Sequence, residues 1–112
     1  MILDRMDKDK NLIKHRLYRQ HCVEAQDRIY VKDLSIIKDR NLKDVVLVDN
    51  SIISFAFNMD SGVPIKSYYR DDKEDEELLY MANYLEEAHQ YPDIRQFNKV
   101  KFKLSEIQEK IK

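Results

Sequence analysis

Four consecutive apolar residues at positions 45–48, Val-Val-Leu-Val, constrain the fold of this chain more than any other feature. Lys43-Asp44 precede them and Asp49-Asn50-Ser51 follow, which cuts the run to strand length. A β-branched run without polar alternation predicts a strand buried on both faces, and such strands belong to parallel sheets covered by helices. The expected fold class is therefore α/β, with the carboxyl end of that strand opening into the functional crevice. Asp49 and Asn50 occupy that end. The 112-residue length permits one domain, and a chain of this size buries roughly two thirds of its unfolded surface. With 43% hydrophobic residues a core is possible even beside 37% charged ones.

Composition removes several function classes. A single glycine excludes both the dinucleotide fingerprint and the P-loop, which need at least two. Twenty Lys+Arg against 21 Asp+Glu leave a net charge of −1, so nothing broad attracts nucleic acid or anionic membrane. One cysteine forms no intramolecular disulfide and no Cys-based zinc site, which fits a reducing compartment. No apolar run approaches the ~20 residues of a membrane span, and residues 1–7 carry acids where a signal peptide has an apolar core. The expectation is an intracellular protein, nuclear or cytoplasmic, with a mitochondrial location left open, without nucleic acid or a membrane segment.

Along the chain, residues 1–13 suggest a short helix giving way to a turn near 7–11. Leu17-Tyr18, Cys22-Val23 and Ile29-Tyr30-Val31 are strand-like, and 33–38 reads as a helical turn or docked loop. Ile52, Ile53, Phe55 and Phe57 suggest an amphipathic turn, 58–62 a further turn, and Val63-Pro64-Ile65 a brief strand. A helix is expected over 72–89, capped by Asp72 with Asp75 three positions on, and burying Leu78, Met81, Leu85 and Ala88. Val100, Phe102 and Leu104 alternate with Lys99, Lys101 and Lys103 as in a half-buried strand. A last helix is expected from Ser105, with Gln108 completing a capping box and Ile107 and Ile111 on one face.

Several charged clusters have plain structural explanations. Asp7-Lys8-Asp9-Lys10-Asn11 has the spacing that opens a calcium loop, but Leu12 and Tyr18 stand where the loop needs Gly and Glu, so a solvated turn is expected. The acids between Asp71 and Glu77 suit a solvated helix start. His15, His21 and His89 have no metal-ligand spacing, and Cys22 reads as a buried thiol. Lys32 and the Asp49-Asn50 pair are different. A carboxylate at the end of a buried strand is a natural ligand for Mg²⁺, which prefers oxygen donors. A lysine from another strand end can neutralise phosphate as a point charge, and Arg16 and Arg19 can add bidentate contacts.

The stretches Arg16-Leu17-Tyr18-Arg19-Gln20-His21-Cys22, Tyr30-Val31-Lys32-Asp33-Leu34-Ser35, Val46-Leu47-Val48-Asp49-Asn50-Ser51 and Val63-Pro64-Ile65 resemble, in order and spacing, one family. It is the carboxy-terminal-domain phosphatases, or NLI-interacting-factor-like phosphatases, of the haloacid dehalogenase superfamily. The similarity continues through Asp71-Asp72, Glu77-Leu78-Leu79 and Asp93-Ile94-Arg95. The resemblance implies Mg²⁺-dependent hydrolysis of phosphoserine or phosphothreonine on proteins, notably the tail of RNA polymerase II, by an Asp nucleophile with a second Asp as general acid/base. It implies that Lys32 neutralises phosphate charge, that Asp49 binds Mg²⁺ with Asn50 beside it in the metal shell, and that Arg19 contacts substrate phosphate.

The departures are as informative. The family's apolar strand ending in D-x-D-x-T or D-x-D-x-V is absent. Asp7 and Asp9 have its two-residue spacing, but Asn11 follows, no apolar strand precedes, and they lie only 42 residues before Asp49. The chain therefore resembles the carboxy-terminal part of a haloacid-dehalogenase-like (Rossmann-like) parallel sheet without its nucleophile strand: residues 1–98 within the domain, and 99–112 a basic amphipathic tail helical from 105. The expectation is a truncated phosphatase domain, inactive alone, with Mg²⁺ weakly held, and with another chain as a candidate to complete the sheet. The alternative is a non-catalytic binding module on the same fold, such as a protein-translocase-type subunit or a pseudophosphatase.

Overall fold

The computed structural model describes residues 2–9 and 11–111, with side chains as far as Ile107. A short helix, α1 (Ile2–Met6), leads into a turn built on Asp7. Its carboxylate accepts hydrogen bonds from the backbone N–H of Asn11 and Leu12, both at 3.2 Å, and of Ile13 at 2.8 Å. The expected solvated turn is thus corrected at Asp7, which is only 2% exposed. Side-chain acceptors let the backbone reverse without a helix, which is why Asp is at home here.

An antiparallel hairpin follows, β1 (Val23–Gln26) and β2 (Ile29–Val31), closed at Asp27-Arg28 with Arg28 at φ 63°. Leu17-Tyr18 form no strand, and the 3₁₀ turn Arg19–His21 lies between them and the hairpin. The 33–38 segment is the expected turn, 3₁₀ over Leu34–Ile36, with Asp33 accepting from the Ser35 N–H at 2.9 Å.

The second sheet is the parallel pair β3 (Leu47–Asp49) and β4 (Gly62–Pro64), in register Leu47 to Gly62, Val48 to Val63 and Asp49 to Pro64. The crossover between them runs through the 3₁₀ turns Ile52–Phe55 and Met59–Ser61. Val46 packs into one cluster, with Val63, Tyr84 and Ala88, and Leu47 into another, with Phe55, Met59 and Leu104. Both faces of the run are therefore covered, but the expectation of full burial is corrected. Val46 and Leu47 are half-buried and Val48 is 38% exposed. The reason is that β3 has a strand neighbour on one edge only among the described residues.

The crossover also explains the single glycine. A Cβ at Gly62 would sit 2.5 Å from the ring of Phe55, which is fully buried. The glycine's φ of −76° is ordinary, so it is kept by close approach and not by backbone conformation.

Two helices cover β4. The first, α2 (Glu77–Ala88), begins five residues later than expected: Asp72 and Asp75 make separate turns, accepting from the N–H of Glu74 and Glu77. Its inner face carries Met81, Tyr84 and Ala88, whereas Leu78 and Leu85 are exposed. Two apolar stripes run along this helix, and the one that meets Val63 and the Phe97 ring is buried. Next, α3 (Ile94–Phe102) is capped by Asp93, which accepts from the Arg95 N–H at 3.0 Å. Residues 99–102 are therefore helical, correcting the strand reading, and Val100 is 74% exposed. Lys103 turns left-handed, at φ 54°, and α4 (Leu104–Ile111) starts with the buried Leu104. Ser105 donates to Asp60 Oδ1 at 3.1 Å, while the expected roles of Gln108 and Ile111 fall on side chains outside the described residues. Buried Asn98 pins α3 to the core, accepting from the Tyr84 hydroxyl and donating to the Asp60 carbonyl at 3.0 Å.

Two outcomes follow from this packing. Gly62→Ala must displace the Phe55 ring, and overpacking of this kind costs about 1–3 kcal/mol, so its thermal melt should fall by several degrees. The Asp7 carboxyl is held below its ordinary value, chiefly by the Ile13 N–H and further by those of Leu12 and Asn11. A lowered folded pKa contributes stability that is present above the unfolded value and lost as pH falls through the folded one. In an acid titration followed by circular dichroism, Asp7→Asn should flatten this acid limb and be less stable than the parent at neutral pH.

Candidate functional site

The carboxyl end of β3 and the residue after β2 meet. Lys32 follows Val31 directly, and its ammonium Nζ lies 2.5 Å from Asp49 Oδ2. The aspartate side chain is 9% exposed and the lysine side chain 46%, so the acid is fixed within the fold while the base reaches it from the surface. The other carboxylate oxygen, Oδ1, accepts the Ser51 N–H at 2.8 Å. Burial pushes the Asp49 carboxyl up, but the hydrogen bonds from Lys32 and Ser51, the lysine's charge and the Ser54 hydroxyl outweigh it. The group lies below the usual carboxylate range.

Of the expected site residues, the fold thus brings Lys32 and Asp49 into contact. Asn50 turns its amide to Ser67, Nδ2 donating to the hydroxyl at 2.9 Å. Arg19 stacks over Tyr30, its guanidinium carbon 5.6 Å from the ring centroid. It borders, with Lys32, a cleft of about 570 Å³ whose apolar walls include Tyr18, Leu34, Ile37 and Leu47. Arg16 is engaged elsewhere, donating to Asp4 at 2.7 Å.

The expected buried thiol at Cys22 is corrected. The residue is half-buried and borders the same cleft, because the hairpin it leads into is exposed along all of β1. His21 is structural: its Nδ1 accepts the Tyr18 N–H at 2.8 Å. Sequence reasoning missed Ser54. This residue, 7% exposed, accepts the Lys32 N–H on its carbonyl at 3.2 Å, which ties the turn after Asp49 to the lysine. The spacing of five residues from the strand-end acid carries meaning only once the loop is known to be a 3₁₀ turn.

Chemically, the site pairs a fixed carboxylate with a movable ammonium at the rim of a cleft, with a guanidinium nearby. The hard oxygen donors at the strand end are the Asp49 carboxylate and the Asn50 amide, the donor type that Mg²⁺ takes, usually with one or two carboxylates and the rest water or phosphate. Among the described residues no group of three or more His, Cys, Asp or Glu side chains is placed to hold a metal by itself. No helix of the described residues is long and apolar enough to cross a membrane.

Comparison with known proteins agrees with this arrangement of blocks. The family model for NLI interacting factor-like phosphatase matches residues 1–95. The CTD small phosphatase-like protein 2 of Dictyostelium discoideum is 45% identical over 97 residues, covering 87% of this chain and 17% of its own length. The CTD small phosphatase-like protein 3 of Caenorhabditis elegans is 38% identical over 104 residues, covering 92% and 35%. The CTD nuclear envelope phosphatase 1B of Danio rerio is 36% identical over 94 residues, covering 84% and 37%. The chain thus spans well under half of each of these relatives. With a match that begins at residue 1 and runs past the Lys32–Asp49 pair to the cap of α3, the chain belongs to the NLI interacting factor-like phosphatase family.

Proposed function

We propose that this chain forms part of a Mg²⁺-dependent phosphatase domain acting on phosphoserine or phosphothreonine in proteins, of which the RNA polymerase II tail is the type substrate. The observation that carries the reading is the Lys32–Asp49 ion pair at the end of a parallel strand. Two ligands of opposite charge suit such a pair: a cation at the carboxylate and a phosphoryl group at the ammonium.

In this reading the Lys32 ammonium moves onto a phosphoryl oxygen and offsets charge as the bond to the leaving oxygen breaks, an electrostatic role that strengthens in a water-poor cleft. Arg19, from the same cleft, grips a second phosphoryl oxygen. Asp49, with Asn50, holds Mg²⁺, which when bound polarises the phosphoryl group and orients it for in-line attack.

The nucleophile comes from outside these 112 residues. Asp7, which has the D-x-D spacing with Asp9, has its carboxylate filled by three backbone N–H groups, so it is not free to attack. A carboxylate supplied beside Asp49 attacks phosphorus, the serine or threonine oxygen leaves and takes a proton from a neighbouring acid, and water then hydrolyses the acyl phosphate. We place the supplying segment on the unpaired edge of β3, where a haloacid-dehalogenase-like sheet has its central strand. It comes from this polypeptide or from another chain. Relatives named for the nuclear envelope favour a nuclear or cytoplasmic site of action.

The engaged Asp7 also favours a second reading, a non-catalytic module that binds phosphopeptide through Lys32 and Arg19. Phosphate release separates the two. In the protein that includes the nucleophile strand, Lys32→Ala and Asp49→Asn should each lower Mg²⁺-dependent release from a phosphoserine peptide by about 10²–10³-fold. The 112-residue chain alone should release none. Unchanged rates in both variants would overturn the assignment, and phosphopeptide binding without release by that protein would favour the module.

The sheet assignment has its own measurement. Sedimentation of the 112-residue chain should show self-association through the open edge, relieved when a peptide spanning the nucleophile strand is added. A monomer that melts cooperatively without that peptide would remove the need for a completing strand.

A further inference from the structure

We infer that Ser67 is a positioning residue for the metal site: its hydroxyl takes the nitrogen arm of the Asn50 amide and so leaves the oxygen arm, the one a cation can use, for the metal. Asn50 Nδ2 donates to Ser67 Oγ at 2.9 Å, across 17 residues of sequence. A primary amide carries a donating nitrogen and an accepting oxygen in one plane. Half a turn of the amide exchanges them, and only the oxygen suits Mg²⁺. Asn50 is exposed, so nothing in its burial fixes that rotation. The bond to Ser67 holds the orientation in which the nitrogen is occupied and Oδ1 remains for a ligand.

The approach of Ser67 is fixed by the sheet. Asp49 pairs with Pro64 in the parallel register, and the Ile65 N–H donates to the Asp49 carbonyl at 3.1 Å. The Lys66 N–H donates to Glu77 Oε2, at the start of α2, at 3.3 Å. The chain after β4 therefore runs on beside Asp49, and the half-buried Ser67 reaches Asn50 from that extension. Groups that hydrogen-bond to metal ligands orient them, and their removal commonly costs 10–100-fold in affinity. The inference rests on the reading of Asp49 and Asn50 as the metal-binding pair, and adds to it the residue that orients the second of them.

Iron-directed cleavage reads the metal site without turnover. The full 112-residue chain is titrated with Fe²⁺ in ascorbate and hydrogen peroxide, and backbone cuts are located by mass spectrometry. Fe²⁺ stands in for Mg²⁺ at the oxygen donors. A cut at residues 49–51, suppressed by excess Mg²⁺, is expected, and Asp49→Asn should abolish it. Ser67→Ala should raise the half-saturating Fe²⁺ concentration about tenfold, and Asn50→Ala by as much or more. Adding Ser67→Ala to Asn50→Ala should change nothing further, because a residue that acts through the Asn50 amide has no effect once that amide is gone. Ser67→Thr, which keeps the hydroxyl, should stay near the parent.

A parent-like Ser67→Ala, with the cut lost in Asp49→Asn, would overturn the positioning role and leave the metal reading standing. So would a further loss from Ser67→Ala in the Asn50→Ala background, which marks a general structural role. No Mg²⁺-competed cut at 49–51 in the parent, or an unchanged one in Asp49→Asn, would overturn the metal assignment and the inference with it. Should Ser67→Ala lose the parent's circular-dichroism spectrum, Ser67→Thr and Ser67→Val, alike in shape, decide: a weaker cut for Ser67→Val upholds the hydroxyl's role, and equal cuts overturn it.

Discussion

The parallel pairing of β3 with β4 is the constraint from which the rest of the structure follows. It places Val46 and Leu47 on opposite faces, and each face gathers its own apolar cluster. It brings Gly62 under Phe55, so that the crossover closes with a ring lying on a backbone that has no side chain to interfere. It also orders the end of the strand. The Asp49 carbonyl accepts the Ile65 N–H at 3.1 Å, so pairing continues through the acid and its side chain cannot swing with a loose loop. The position of the carboxylate is thereby a property of the sheet.

Around that fixed acid the electrostatics are asymmetric. A carboxylate taken from water is destabilised unless it is paired and hydrogen-bonded, and here the compensation comes in two forms. The Ser51 N–H belongs to the turn and stays, whereas the Lys32 ammonium reaches the acid from a half-exposed side chain. A pair of this type is worth little as a contributor to stability when one partner is exposed. In the proposed site its use lies in keeping the charges balanced until ligands of both signs arrive.

How much of this was legible in the sequence depended on whether the signal was local. The 45–48 run announced a parallel strand with an acid at its end, and Asp49 does end β3. Whether a second neighbour covers that strand is a long-range fact, and a four-residue window holds no trace of it. The alternation at Val100, Phe102 and Leu104 misled because it spans two helices. Phe102 ends α3 and Leu104 begins α4, and the left-handed Lys103 between them points both inward. The better local signal was Asp93 with Arg95 two residues on, a cap that commits the following turn to helix. In α2 two apolar stripes competed, and only the position of Val63 and Phe97 decides for Tyr84 over Leu85. The resemblance implied roles for Lys32 and Asp49 but not their contact across 17 residues, and the turn that joins them through the Ser54 carbonyl was invisible for the same long-range reason.

The edge of β3 that has no strand partner among the described residues then acquires a chemical meaning beyond its liability to associate. Parallel strands deliver their carboxyl ends to the same side of a sheet. Any apolar segment that adds to this edge in parallel must therefore present its last residues beside Asp49, at the rim where Lys32 and Arg19 border the cleft. Leu34, Ile37 and Leu47 line the same cleft as the two cations. In the reading proposed above, the attacking acid and Lys32 are far apart in sequence because each is carried to the site by its own strand.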